Sequence, residues 1–153
     1  MASGAYTSGI KDWMDANQFL TGTFKWLLVS TATPYTYNVD DDFVDAGGAN
    51  DVVDAETNVS GYTRGWGGAG RLTVASKTFT VNDTNNRLEL DCADPSWAGL
   101  GTGETLAAAL IIREGAANDT TSQLYAYLDF NDVASGGTLT LQVASNGIVN
   151  FLC

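Results

Sequence analysis

The sequence predicts an all-β fold, a single-domain antiparallel β-sandwich or jelly roll of about eight strands behind a short helical or extended N-terminal arm. Three observations predict it. Apolar residues recur with period two in several segments, Gly, Asn, Asp and Ser separate those segments at short intervals, and the chain is 44% hydrophobic but only 16% charged, with 17 glycines. At 153 residues the chain suits one domain, which buries about two thirds of its unfolded surface. The expected division is an arm over 1–22 and a sandwich over 23–153.

In the arm, residues 10–19 read as a short helix with Ile10, Trp13 and Met14 on one side. An isolated helix of that length is marginal in water, so the arm must pack on the body or on a neighbouring molecule. Residues 24–31 are apolar on both parities (Phe24, Trp26 and Leu28 against Leu27 and Val29) and read as a buried strand that ends before Thr33-Pro34. Residues 35–54 form an acidic loop carrying Asp40, Asp41, Asp42, Asp45, Asp51 and Asp54, pinned to the core by Phe43 and Val44 through a short helical turn. A further strand is expected over 57–63, followed by the glycine-rich stretch 65–70.

The clearest hairpin follows. Phe79 and Val81 alternate with Thr78 and Thr80, residues 82–86 turn, and Leu88, Leu90 and Cys92 alternate with Arg87, Glu89 and Asp91. The chain is organised around residues 106–130. Residues 106–112 are apolar on both parities and read as a central strand, although a helix over 104–114 ending at Gly115 competes with that reading. In the return segment Leu124, Ala126, Leu128 and Phe130 share one face while Tyr125, Tyr127 and Asp129 share the other, outward one. A terminal hairpin is expected from 138–143 and 148–152, turning at Ser145-Asn146-Gly147.

The formal net charge of -11 disfavours phosphate backbones and anionic lipid, so nucleic acid and membrane surfaces are not expected partners. No run reaches the roughly 18 apolar residues of a membrane span, and the N-terminus does not read as a classical signal. Cys92 and Cys153 are too few for a disulfide framework. Cys92 continues the inward alternation of its strand as a small hydrophobe, and a single bridge between the two cysteines stays open.

Gly65, Gly67 and Gly70 satisfy G-x-G-x-x-G by spacing, but the stretch after them reads as extended, whereas a dinucleotide site needs a helix there. The loop with Trp66 is therefore expected to be an exposed turn, with no cofactor. The aspartates of 40–54 do not follow the spacing of a calcium loop, so a solvated acidic loop is preferred over a cation site. Histidine is absent, which excludes Ser-His-Asp and Cys-His catalysis. No pair among Glu56, Glu89, Glu104 and Glu114 is singled out for carboxylate chemistry. The chain is read as noncatalytic, without a metal, with Tyr35, Tyr37, Tyr62, Trp66, Trp97, Tyr125 and Tyr127 as the residues suited to an interface or, less so, a sugar platform.

Several segments carry a resemblance. Lys25-Trp26-Leu27-Leu28-Val29-Ser30-Thr31, then Thr33-Pro34, Asp41-Asp42-Phe43-Val44-Asp45 and Val59-Ser60-Gly61-Tyr62-Thr63, with the later 72–81, Trp97 and 124–130, resemble a family of small tailed-bacteriophage virion proteins of the head decoration or minor structural type. The likeness spans about residues 24–152, leaves the first twenty outside it, and contains no catalytic signature. It implies a noncatalytic structural protein at the capsid surface of a virion assembled in the host cytoplasm. The expected role is capsid decoration or cement, binding the major capsid protein or other virion proteins, with a homo-oligomer such as a trimer possible. The alternative is a tail, neck or head-fibre module that binds another virion protein or a host-surface glycan through Trp66, Trp97 and the loop tyrosines. The expected interface residues are Trp13, Met14 and Phe19 of the arm, together with Trp66, Tyr125 and Tyr127.

Overall fold

The computed structural model describes residues 4–6, 16–144 and 148–152. The fold is all-β and antiparallel. Ten strands are present among the described residues: β1 (Gly4–Ala5), β2 (Phe24–Ser30), β3 (Leu72–Thr73), β4 (Thr78–Asn82), β5 (Arg87–Asp91), β6 (Ser96–Trp97), β7 (Thr102–Arg113), β8 (Gln123–Ser135), β9 (Leu139–Thr140) and β10 (Val149–Leu152). The main sheet has the order β1-β8-β7-β2-β3, a second sheet has β10-β5-β4, and β6 pairs with β9. The longest helix among the described residues is Ala16–Thr21, six residues long.

The apolar run at 106–112 is strand, not helix, and it lies inside β7, hydrogen-bonded to β2 on one side and β8 on the other. Both faces of this sheet are covered, which is why β2 and β7 are apolar on both parities. One face carries Phe24, Trp26, Leu28, Ala109 and Ile111 against Leu90, Trp97, Phe79 and Leu139 of the smaller sheets. The other carries Leu27, Val29, Leu110 and Ile112 against Tyr35, Val44 and Val52 of the acidic loop and Ala55 just after it. The loop is thus a lid on the second face, and burying a side chain such as Leu27 or Leu110 there stabilises it by roughly 1.5–3 kcal/mol.

Four local expectations are corrected. Residues 57–63 form turns, not a strand; Glu56 makes a lone bridge with Val29, and Gly61 takes φ 85°, outside strand geometry. The loop anchor is Val44, fully buried, while Phe43 is exposed and the helical turn falls later, at Val52–Ala55. The two ends of the expected terminal hairpin join different sheets, β9 to β6 and β10 to β5; the expected turn at 145–147 lies outside the described residues. In β8, Leu124 faces Ile112 and Ala126 faces Ile111, so Tyr125 is an extra residue. This bulge turns Tyr125 to the Phe24 side and Leu124 to the loop side, breaking the simple alternation. The hairpin of β4 and β5 forms in the expected place, with Phe79 opposite Leu90 and Val81 opposite Leu88.

Candidate functional site

The main buried polar constellation centres on Arg71. The preceding glycines place it: Gly65 and Gly67 adopt φ 87° and 69°, and the turn closes through Gly68 N–H to Gly65 O, Gly70 N–H to Thr63 O and Arg71 N–H to Gly68 O. A Cβ on Gly68 would lie 2.3 Å from Thr63 O, and one on Gly70 2.6 Å from the Tyr62 ring. The glycine spacing therefore serves chain reversal, and the chain leaves it into β3 instead of a helix.

Arg71 is 2% exposed and forks between two carboxylates. Nε donates to Glu56 Oε1 at 2.8 Å and Nη2 to Glu56 Oε2 at 2.6 Å. Nη1 donates to Asp119 Oδ1 at 2.6 Å and Nη2 to Asp119 Oδ2 at 3.1 Å. Tyr62 Oη donates to Glu56 Oε1 at 2.9 Å and accepts from Leu28 N–H, while Gly65 N–H donates to Glu56 Oε2. Burial opposes the charge of Arg71, but its hydrogen bonds to Glu56 and Asp119 more than offset this and hold the guanidinium above its ordinary pKa. Burial, then the Glu56 charge, pushes the Tyr62 phenol up. One cation, two anions and their remaining donors thus satisfy one another, leaving a closed staple between the 56–71 segment, β2 and the turn at Asp119–Thr121.

The expected interface aromatics separate sharply. Trp66 stays at the surface, 45% exposed, with its indole N–H donating to Gly115 O at 2.8 Å and Gly67 N–H donating to Glu114 Oε1. Beside it lies an open hollow of about 390 Å³ whose lining includes Thr23, Arg113, Glu114, Gly115 and Gln123. Trp97 is buried, donating to Gly70 O, so it leaves any surface platform. Tyr125 and Tyr127, expected to stand outward, are buried because the bulge sends Tyr125 onto Phe24 at 4.7 Å and the N-terminal strand and loop cover Tyr127. Phe19, expected at an interface of the arm, is 1% exposed in the core beside Phe24, and the Lys77 ammonium sits 5.0 Å from the Phe24 ring. Trp13 and Met14 lie outside the described residues.

The aspartates of the acidic loop shape its turns. Asp51 Oδ2 accepts from Ala46 and Gly48 N–H, Asp45 Oδ1 accepts from Gly47 N–H, and Asp41 accepts from Tyr35 Oη and Asn38 Nδ2. Among the described residues no three metal-ligating side chains converge.

A second constellation surrounds Tyr6, which is fully buried. Its ring meets Tyr37 edge-on at 5.1 Å, and Tyr37 and Tyr35 pack on Tyr127 at 5.2 and 6.0 Å. Tyr6 Oη donates to Tyr35 Oη at 3.1 Å, which donates to Asp41 Oδ2 at 2.7 Å. Burial pushes both phenols above their ordinary values. Sequence reasoning missed Tyr6 and Arg71. The available signals were a lone aromatic in an otherwise small and polar N-terminal stretch, and a basic residue placed directly after a run of glycines.

No family model matches the sequence, no curated protein matches it, and no solved structure matches the fold.

Proposed function

We propose that the chain is a noncatalytic virion structural protein that decorates and stabilises an assembled bacteriophage capsid shell. The observation that supports the noncatalytic part is the Arg71 staple: the fully buried carboxylate of Glu56 is held by the guanidinium and by backbone and phenol donors, and Asp119, 9% exposed at its side chain, is held by the same guanidinium. Acid-base chemistry needs a carboxyl with a free proton site facing a substrate. The resemblance of 24–152 to small virion proteins supports the shell assignment. A sheet covered on both faces suits a rigid block that presents loops to neighbours. Binding only the assembled shell stabilises it by mass action, and many copies on a symmetric lattice multiply a modest contact.

The test is to add purified protein to shells lacking it and count bound copies by quantitative gel staining. On the order of hundreds per particle is expected of decoration, whereas about three to twelve indicates a fibre, neck or tail part. No binding to shells, with turnover of a polysaccharide by the purified protein, would overturn the reading. A second reading, glycan binding, is favoured by the exposed Trp66, whose indole N–H bonds Gly115 O at the edge of the hollow. It predicts hits on a glycan array that Trp66→Ala abolishes.

A further inference from the structure

The N-terminal strand β1 is joined to the main sheet through its outer edge alone. Gly4 pairs with Tyr127 and Ala5 with Ala126, and Tyr6 N–H donates to Tyr125 O at 3.1 Å. The rest of the contact is side chain: Tyr6 enters the space bounded by Tyr35 and Tyr37, with its hydroxyl in the chain that runs to Asp41. A Cβ on Gly4 would lie 2.7 Å from Tyr37 Oη, so a larger residue there would have to push that hydroxyl aside. The socket is contributed by β8 and residues 35–41, and the plug by residues 4–6.

Plug and socket differ in charge. Residues 1–10 contain no acidic side chain, although the chain as a whole carries -11. The socket carries Asp41, which accepts from Tyr35 Oη, with Asp40 and Asp42 flanking it in sequence, and Asp129 adds its field at Tyr127. An uncharged plug can therefore approach the acidic socket of another copy without repulsion. The nine residues between Tyr6 and Ala16 can reach up to about 30 Å, so the plug can be delivered to a neighbour.

We propose that this socket is a strand-exchange site, filled in the assembled state by residues 4–6 of a second copy of the chain. The main-chain bonds, the Tyr6 hydroxyl and the glycine contact are identical whichever copy supplies them, so exchange forfeits no contact and local concentration decides it. Addition of a strand at a sheet edge supplies affinity through backbone bonds, and the side-chain pocket supplies selectivity for tyrosine two residues after glycine. The proposal holds whether the particle component is a decoration or a fibre part.

Register supplies the test. Tyr6 and Tyr125 form a hydrogen-bonded pair, so Ala5 and Ala126 occupy the adjacent non-bonded position, where Cα atoms approach to about 4.5 Å and a disulfide fits. In a Cys153→Ser background, full-length chains carrying only Ala5→Cys and only Ala126→Cys are mixed at high concentration and oxidised. A covalent dimer is expected in the mixture and in neither variant alone, and Tyr6→Ala on the plug-bearing chain should lower its yield at least about tenfold. The double variant Ala5→Cys/Ala126→Cys reports whether the register itself is right. An internal bridge in that variant with no dimer in the mixture would overturn exchange, because each socket would then take only its own plug. Failure of both would overturn the docking register, and with it the proposal.

Discussion

Removing Arg71 would leave Glu56, fully buried, and Asp119, 9% exposed at its side chain, with no cation. Breaking a buried pair from one side costs far more than replacing the whole pair with apolar groups of similar size, because the orphaned charge stays desolvated. Arg71→Met is therefore expected to lower unfolding free energy by about 3–5 kcal/mol in urea melts, and the triple variant Arg71→Met/Glu56→Gln/Asp119→Asn to recover part of it. Arg71→Lys keeps the charge but loses the fork, so it should fall between them. Equal midpoints for Arg71→Met and the unaltered chain would mean the staple contributes nothing. This group was invisible in the sequence for a physical reason. Arg71 lies 15 residues from Glu56 and 48 from Asp119, and nothing in local spacing encodes an encounter made by folding. Trp66 was legible because glycines on both sides leave its surroundings no bulk with which to bury it.

At the scale of elements, period two identified the hairpin of β4 and β5, although Val81 on the apolar parity of β4 stays 61% exposed, and an apolar run on both parities identified β2 and β7 as central. What it missed are places where the backbone departs from the pleat. The bulge at Tyr125 re-aims two side chains without leaving a mark in composition, and the segment 57–63 has strand-like residues but is turned by Gly61 at φ 85°. The glycine turn gives the sharpest test of an element. At Gly70 a methyl group would lie 2.6 Å from the ring of Tyr62, which cannot yield because its hydroxyl is held between Glu56 and Leu28 N–H. Gly70→Ala should cost about 1–3 kcal/mol, as overpacking does. Gly48, whose nearest neighbour to an added Cβ is 3.4 Å away, should accept alanine within about 0.5 kcal/mol. Thermal melts of the two variants compare them directly, and equal losses would remove the steric account of the turn.

Across the whole molecule, two covered faces mean that acidic side chains of high ordinary pKa are stored in neutral form. Burial raises Tyr6 and Tyr35 under the loop and Tyr62 in the staple, and it pushes the Cys92 thiol on the opposite face up to about 12. The folded state therefore holds protons that the unfolded chain releases, Cys first at about pH 8.5 and Tyr near 10. With folded pKa values above unfolded ones, this contribution to stability is fully present below those unfolded values and is lost as pH rises toward the folded ones. Urea midpoints are expected to be level from neutral pH to about 8.5, then to fall increasingly steeply, each group in its window costing about 1.4 kcal/mol per pH unit. Tyrosinate absorbance followed on the same samples should lag behind that of free tyrosine and then rise together with unfolding, since Tyr6, Tyr35 and Tyr62 ionise only when the faces open. Tyrosinate appearing at ordinary pH while the fold persists would place these phenols in contact with water, and both the loop lid and the Tyr6 socket would then have to be open in solution.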